Sequence, residues 1–179
     1  MKNIQIYLVA MVVALMSLCN LSADKVDLSQ VTSKDLGFTS EREFFTFIPE
    51  LGEFAFRIGM IRAMATWYGE AGSRAKAVLE QFHAEEIVEK MARTFNRIDN
   101  PLGTLLFNTL RSRLDEGRDQ ANTYMGWLAI KAHEMGQSKV LPYEYTSERL
   151  IWKIEQFIEQ YRKQIEIISN LSNEQLELK

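Results

Sequence analysis

The spacing of apolar residues in the second half of the chain constrains the fold most. Between Pro101 and Gly136, apolar residues recur at steps of three, four or seven, which is the period of one face of an α-helix. The members of this stripe are Leu102, Leu106, Leu110, Leu114, Ala121, Met125, Leu128, Ala132 and Met135. The stripe predicts a helix roughly 50 Å long, with Pro101 in its first turn and Gly136 as its C-terminal cap.

A second apolar stripe runs through the C-terminal segment, where the members again recur at steps of three and four residues. They are Ile151, Ile154, Ile158, Tyr161, Ile165 and Ile168. Thr146 or Ser147 is in position to cap this final helix, after a loop that contains Pro142. Stripes of this kind are typical of the surfaces along which helices pack in a bundle.

The first half of the chain is also predicted to be helical. Ser40 and Glu43 form a capping-box pattern, in which Ser40 accepts from the Glu43 amide and the Glu43 carboxylate reaches back. Pro49 is expected to interrupt the helix that starts there. Residues 50–68 are apolar on every face, which predicts the most buried helix of the fold.

The segment that follows changes its apolar face. Residues 69–73 predict a break, because they contain two glycines and a serine. Within residues 74–98, the apolar positions up to Phe82 point one way and those from Ala84 onward point nearly opposite. We therefore expect one helix here that contacts different neighbours along its length.

These patterns define the expected architecture. The chain shows no alternating strand pattern and no internal repeat. Long amphipathic helices joined by short turns bury their stripes best when they pack antiparallel. The predicted fold is all-α, a four- to five-helix bundle, mostly antiparallel, with one central highly apolar helix. The bundle is expected over residues 40–170, with an extended or partly disordered arm over 24–39 and a tail over 171–179.

The N-terminal segment predicts export. Lys2 precedes an apolar run over residues 4–19, and Leu21 and Ala23 suit the positions before signal-peptidase cleavage. Residues 1–23 are interpreted as a signal peptide, so the mature protein is expected to begin at Asp24 and to be periplasmic or secreted. Two alternatives stay open. One is an uncleaved anchor, for which the run is short, and the other is lipidation of Cys19, which lacks a small residue before it.

Charge and cysteine content exclude several function classes. The chain has 21 basic and 24 acidic residues, a net charge of −3, with both signs interspersed and no basic stripe. A nucleic-acid partner is therefore not expected. Cys19 is the single cysteine and lies within the predicted signal peptide. The mature chain then has no disulfide, no thiolate nucleophile and no cysteine metal ligand, and no membrane span is expected in it.

The chain carries no catalytic motif, since a Gly-x-Ser-x-Gly sequence and a glycine-rich phosphate loop are both missing. No catalytic residue and no cofactor are therefore predicted. The spacing of Glu80 and His83 places a carboxylate and an imidazole on one helix face, as in di-iron bundles. Such sites need a second motif, and the residues before His133 do not supply it. This pair is a weak metal-binding alternative, against a partly exposed histidine.

Arg57 and Arg62 interrupt the segment expected to be most buried. An arginine in apolar surroundings needs a carboxylate partner or an anionic ligand. Together with the rings of Trp67 and Tyr68, the two arginines make a candidate ligand-binding site between helices. The alternative is an internal ion pair or a side chain that extends to water. The nearby carboxylates for such a pair are Glu50, Glu53 and Glu70.

Two functional hypotheses follow. The first is an exported, non-enzymatic helical protein that binds a protein partner or forms a homo-oligomer or another assembly. The second is a small-ligand binding module built on Arg57, Arg62, Trp67 and Tyr68. The aromatic run over residues 44–47 is either a docking patch for a partner or part of the core.

Overall fold

The computed structural model describes residues 27–67, 69–134 and 148–173. These residues contain six α-helices and no strand, so the all-α class is confirmed for this part of the chain. In chain order the helices are α1 (Glu41–Ala65), α2 (Glu70–Gln81), α3 (Ala84–Arg97), α4 (Pro101–Glu134), α5 (Glu148–Gln160) and α6 (Arg162–Asn173). The interpreted signal peptide lies outside the described residues. Among the described helices, none combines the length and apolar character that crossing a bilayer requires.

Only one of the two hydrogen bonds of the predicted capping box forms at the start of α1. Ser40 Oγ accepts from the Glu43 backbone N–H at 3.2 Å, as expected. The Glu43 carboxylate, however, reaches past Ser40 and accepts from both the backbone N–H and the hydroxyl of Thr39, each at 2.7 Å. These hydrogen bonds lower the pKa of Glu43 below its usual value, the Thr39 hydroxyl being the largest cause.

The interruption predicted at Pro49 is wrong, because α1 runs through it without a break. Proline removes one N–H from the helix ladder and leaves the carbonyl of Phe45, four residues earlier, without its helical donor. Pro49 is exposed and Phe45 is 63% exposed. Water therefore reaches this side of α1 and can hydrate the freed carbonyl, which makes the proline tolerable.

The single helix expected over residues 74–98 is also wrong. The chain breaks at Phe82 and His83, and His83 adopts a left-handed backbone with φ of 49° before α3 begins. The break accounts for the change of apolar face, since α2 packs mainly on α1 whereas α3 packs on α4 and α6. By contrast, the junction of α5 and α6 is nearly continuous, because Tyr161 N–H donates to the Phe157 carbonyl at 3.0 Å. Ile165 N–H then donates to the Tyr161 carbonyl at 2.8 Å.

The most extensive helix contact joins α1 to α4, and this pair runs parallel. Gly52 lies against Thr109, while further along both helices Ala63 packs with Ala121. This pair departs from the mostly antiparallel packing that was expected. Glycines set the close approach, since a Cβ on Gly59 would lie 2.1 Å from the Leu114 carbonyl oxygen.

The α5 helix crosses the opposite side of α1 in the antiparallel sense. The Phe47 ring packs edge-on against Tyr161, with centroids 4.9 Å apart, whereas Phe54 stacks on Phe157 at 4.4 Å. At the far side of the fold, the Thr94 hydroxyl of α3 donates to a backbone carbonyl of α6 at 2.6 Å. This bond connects α3 to α6.

Residues 27–39, the described part of the expected arm, form turns that contribute to the core. Val31, Leu36 and Phe38 are buried. Asn100 fastens this segment, because its side-chain amide donates to the Val31 carbonyl at 2.8 Å while its oxygen accepts from the Leu102 N–H at 2.9 Å. Asn100 therefore caps α4 and holds the N-terminal segment with the same side chain.

Candidate functional site

The two arginines singled out from the sequence lie on different sides of α1. Five residues at about 100° per residue separate Arg57 and Arg62 by roughly 140° around the helix. Arg57 faces α5 and pairs with Glu53, whereas Arg62 faces α3 and pairs with Glu85. Each arginine thus has an internal carboxylate partner, and the two do not share one site.

Arg57 lines a cleft of about 140 Å³ between α1 and α5, here called the α1/α5 cleft. Its floor is the stacked pair Phe54 and Phe157, both buried. The remaining lining residues are the polar side chains Glu50, Glu53, Arg57, Lys153, Gln156 and Gln160. They follow helical spacing on each helix, so two polar rows flank an aromatic floor.

The charges of the α1/α5 cleft are compensated unevenly. Glu53 is shared between Arg57 and Arg113, the latter at 3.6 Å. The Glu50 carboxylate instead accepts from a neutral donor, the Gln160 amide, at 3.2 Å. Burial, and then the Glu50 carboxylate, raise the pKa of Tyr161 above its usual value of 10, so this hydroxyl keeps its proton.

Arg62 lines a larger groove of about 320 Å³ between α1, α3 and α4, here called the α3/α4 groove. Its Nε donates to a Glu85 carboxylate oxygen at 2.8 Å. The apolar part of the lining consists of Val88, Ala92, Phe107 and Leu114. Arg111 and Asp115 stand at the edge on α4, 4.0 Å apart.

The other predicted site residues are not brought together with the arginines. Trp67 is half-buried against the core just after α1 and lines neither of these two cavities. Tyr68 lies outside the described residues. Glu80 is exposed in the last turn of α2, whereas His83 is exposed in the break before α3.

The Glu80 and His83 pair therefore does not share one helix face, because the break falls between them. Within the described ranges, no group of three or more His, Cys, Asp or Glu side chains is placed to hold a metal ion. The side chain of His133 lies outside the description.

The aromatic run over residues 44–47 divides between core and surface. Phe44 and Phe47 are buried, and Phe45 is exposed. A second apolar surface lies on the last turns of α4, where Trp127 is 52% and Ile130 is 59% exposed. The Tyr124 ring stacks on Trp127, with centroids 6.0 Å apart.

Comparison with protein-family models, with curated proteins and with solved structures finds no match for this chain. The function is therefore inferred from the geometry of the described residues. Sequence reasoning named Glu50 only as a partner for arginine and missed Lys153 and Gln160. The sequence indicates Lys153 and Gln160 only through the polar face of α5, whose residues recur at the same three- and four-residue spacing as the apolar stripe.

Proposed function

We propose that this chain is an exported, non-enzymatic helical protein that acts by binding a protein partner. The docking surface is the end of α4, defined by Tyr124, Trp127 and Ile130 and here called the α4 tip. Export is supported by the signal-like residues 1–23. If so, the mature protein isolated from its native compartment begins at Asp24, which mass spectrometry of its N-terminus tests.

The exposure of the α4 tip is the observation that carries the proposal. The last buried α4 residue that packs on α1 is Ala121, against Met60 and Ala63. Beyond Met125, every side chain of α4 that the structure describes is exposed. Spacings of three residues place the Tyr124, Trp127 and Ile130 side chains along one side of the helix.

An apolar surface of this kind favours burial against another molecule. A tryptophan side chain buries up to about 250 Å², so covering the exposed half of Trp127 contributes roughly 3 kcal/mol. Residues of this type dominate the energetics of protein interfaces, in which tryptophan and tyrosine are enriched. The α4 tip thus offers an anchor for a partner.

The test compares two variants of the mature protein. Partners are recovered by crosslinking in the native compartment, and self-association is measured by sedimentation. The double variant Trp127→Ala with Ile130→Ser is expected to lose the recovered partner. The control Leu105→Ser, which changes an exposed leucine on the same helix, is expected to keep it. A partner retained by the double variant, or a monomer with no partner, would contradict the proposal.

The number of helices in the bundle and the central position of α1 are part of the same proposal. We count α5 and α6 as one rod, since the helical hydrogen bonds continue across Tyr161. The described helices then form a five-helix bundle, with α1 as the central helix. Contacts of α1 with α2, α4 and α5 support this arrangement.

Small-ligand binding is the second candidate function. The favouring observation is that Arg57 and Arg62 each line a cavity. Because the cavities are distinct, Arg57→Ala and Arg62→Ala are expected to affect different ligands. A single ligand lost equally in both variants would point instead to the combined site expected from the sequence. Metal binding through Glu80 and His83 is the weakest alternative, tested by elemental analysis of protein purified without chelator.

A further inference from the structure

Two charges in the α1/α5 cleft have no partner of opposite sign. Glu50 accepts from the neutral amide of Gln160, and no ion pair joins it to a described lysine or arginine. Lys153 places its ammonium over the Trp152 ring at 4.9 Å, and no described carboxylate pairs with it. One anion and one cation are therefore left uncompensated in the same cleft.

The two charges stand at opposite ends of the cleft. Because α1 and α5 are antiparallel, Glu50 lies beside Gln160 at one end, whereas Arg57 lies with Lys153 at the other. Seven residues of helix separate Glu50 from Arg57, which is about 10 Å along the axis. The cleft therefore has a negative end and a positive end.

The positive end also has a donor without an acceptor. Arg57 Nε is buried and makes no hydrogen bond, although another nitrogen of the same guanidinium binds Glu53. A carboxylate is the group that matches guanidinium and ammonium donors together. An ammonium is the group that matches the oxygens of Glu50 at the other end.

We propose that the α1/α5 cleft binds a short zwitterionic peptide of dipeptide size, with its ammonium at Glu50 and its carboxylate between Arg57 and Lys153. One residue spans about 3.5 Å and two span about 7 Å. A charge-assisted hydrogen bond adds about 2.8 Å at each end. A single amino acid then reaches about 9 Å, just under the axial separation of about 10 Å, whereas a dipeptide reaches about 13 Å and can contact both ends.

The shape of the cleft agrees with this ligand. A volume of about 140 Å³ accommodates a molecule of dipeptide size with small side chains. The stacked rings of Phe54 and Phe157 provide an apolar floor for those side chains. Gln156, between the two ends, brings an amide that can donate to or accept from the peptide bond. This site is separate from the α4 tip, so its test is independent of the proposed protein partner.

Calorimetric titration of the folded protein with L-alanyl-L-alanine tests the proposal. Saturable binding is expected. The N-acetylated dipeptide, which lacks the ammonium, and the dipeptide amide, which lacks the carboxylate, are each expected to bind at least about tenfold more weakly. L-Alanine is expected to bind more weakly than the dipeptide. The absence of saturable binding of the dipeptide up to about 10 mM overturns the proposal. Equal affinity for the free and both blocked peptides does so too.

Two variants assign each end of the peptide to a residue. Glu50→Gln keeps the length of the side chain and removes the charge, so it is expected to bind free and N-acetylated peptide equally. Lys153→Gln is expected to reduce the preference for free over amidated peptide without abolishing it, because Arg57 still pairs with the carboxylate. Glu155→Gln and Lys163→Gln change exposed charges on the same rod and are expected to discriminate as the unmodified protein does.

Loss of discrimination in these control variants contradicts the assignment. So does undiminished discrimination against N-acetylated peptide in Glu50→Gln, or against amidated peptide in Lys153→Gln. Circular dichroism verifies that each variant is folded. Should a variant fail to fold, the comparison of free and blocked peptides on the unmodified protein decides the proposal.

Discussion

Replacement of Gly59 by alanine tests whether the parallel α1/α4 contact is as close as described. A Cβ at this position would lie 2.1 Å from the Leu114 carbonyl oxygen, 2.9 Å from its carbon and 3.1 Å from Leu114 Cα. Favourable contact between such atoms begins at about 3.5 Å. The obstructing atoms belong to the backbone and cannot rotate aside. The two helices must therefore separate by roughly 1 Å at their crossing.

The expected free-energy change combines two opposing effects. Overpacking costs about 1–3 kcal/mol, and the rigid obstacle places Gly59→Ala near the upper end. The higher helix propensity of alanine adds about 1 kcal/mol to the free energy of unfolding. The net loss of unfolding free energy is therefore about 2 kcal/mol. For a chain of this size, that loss lowers Tm by roughly 4–8 °C.

A matched control lies on α4 itself. A Cβ on Gly126 meets no atom within 4 Å, so Gly126→Ala shows the helix-propensity gain alone, about 0.5–1 kcal/mol of stabilisation. Urea unfolding followed by circular dichroism measures both variants. The same chemical change is expected to have opposite signs at the two positions. A Gly59→Ala protein at least as stable as the unmodified one would refute the described crossing.

Substitutions at three further positions test local features. His83→Gly is expected to raise stability by about 0.5–1 kcal/mol in thermal unfolding, because glycine adopts the left-handed backbone at φ of 49° without steric cost; a lower Tm would count against that backbone. Thr94→Val removes the hydroxyl that donates to the Ile168 carbonyl and is expected to cost about 1–2 kcal/mol in urea unfolding. Thr94→Ser keeps the hydroxyl and is expected to cost less; the reverse order would contradict the hydrogen bond. The pKa of Glu43 is lowered in the folded protein, so its stabilising contribution is complete above its usual value of 4.5 and is lost as the pH falls below that value. Glu43→Gln is therefore expected to lose less stability than the unmodified protein in acid denaturation. An equal loss would show that Glu43 is not responsible for the acid sensitivity.

Local signals predicted helix starts well. Ser40 caps α1 and Pro101 begins α4, since both depend on the chemistry of a few neighbouring residues. Pro49 was misread, because its effect depends on whether the freed carbonyl reaches water. The break at His83 was also missed, because the sequence around it contains no glycine or proline.

The pairing of helices was beyond sequence reasoning for a different physical reason. Apolar stripes show which face of a helix is buried, and they do not show which neighbour covers it or in which direction. Arg62 illustrates this, since its partner Glu85 comes from α3 and was not among the carboxylates considered, whereas Arg57 pairs with Glu53 of its own helix, which was. The charges at Glu50 and Lys153 come together only through the antiparallel contact of α1 with α5. No short motif encodes such a contact.

The parallel pairing of α1 with α4 has a consequence for how the chain reaches its native state. Two parallel helices cannot form a hairpin, so the whole of α2 and α3 must cross between them before the largest interface can close. A contiguous fragment that stops before residue 101 lacks α4 altogether and cannot form this interface. Folding therefore proceeds through long-range closure, and a cleavage between α1 and α4 yields pieces that must recombine rather than two independent folding units.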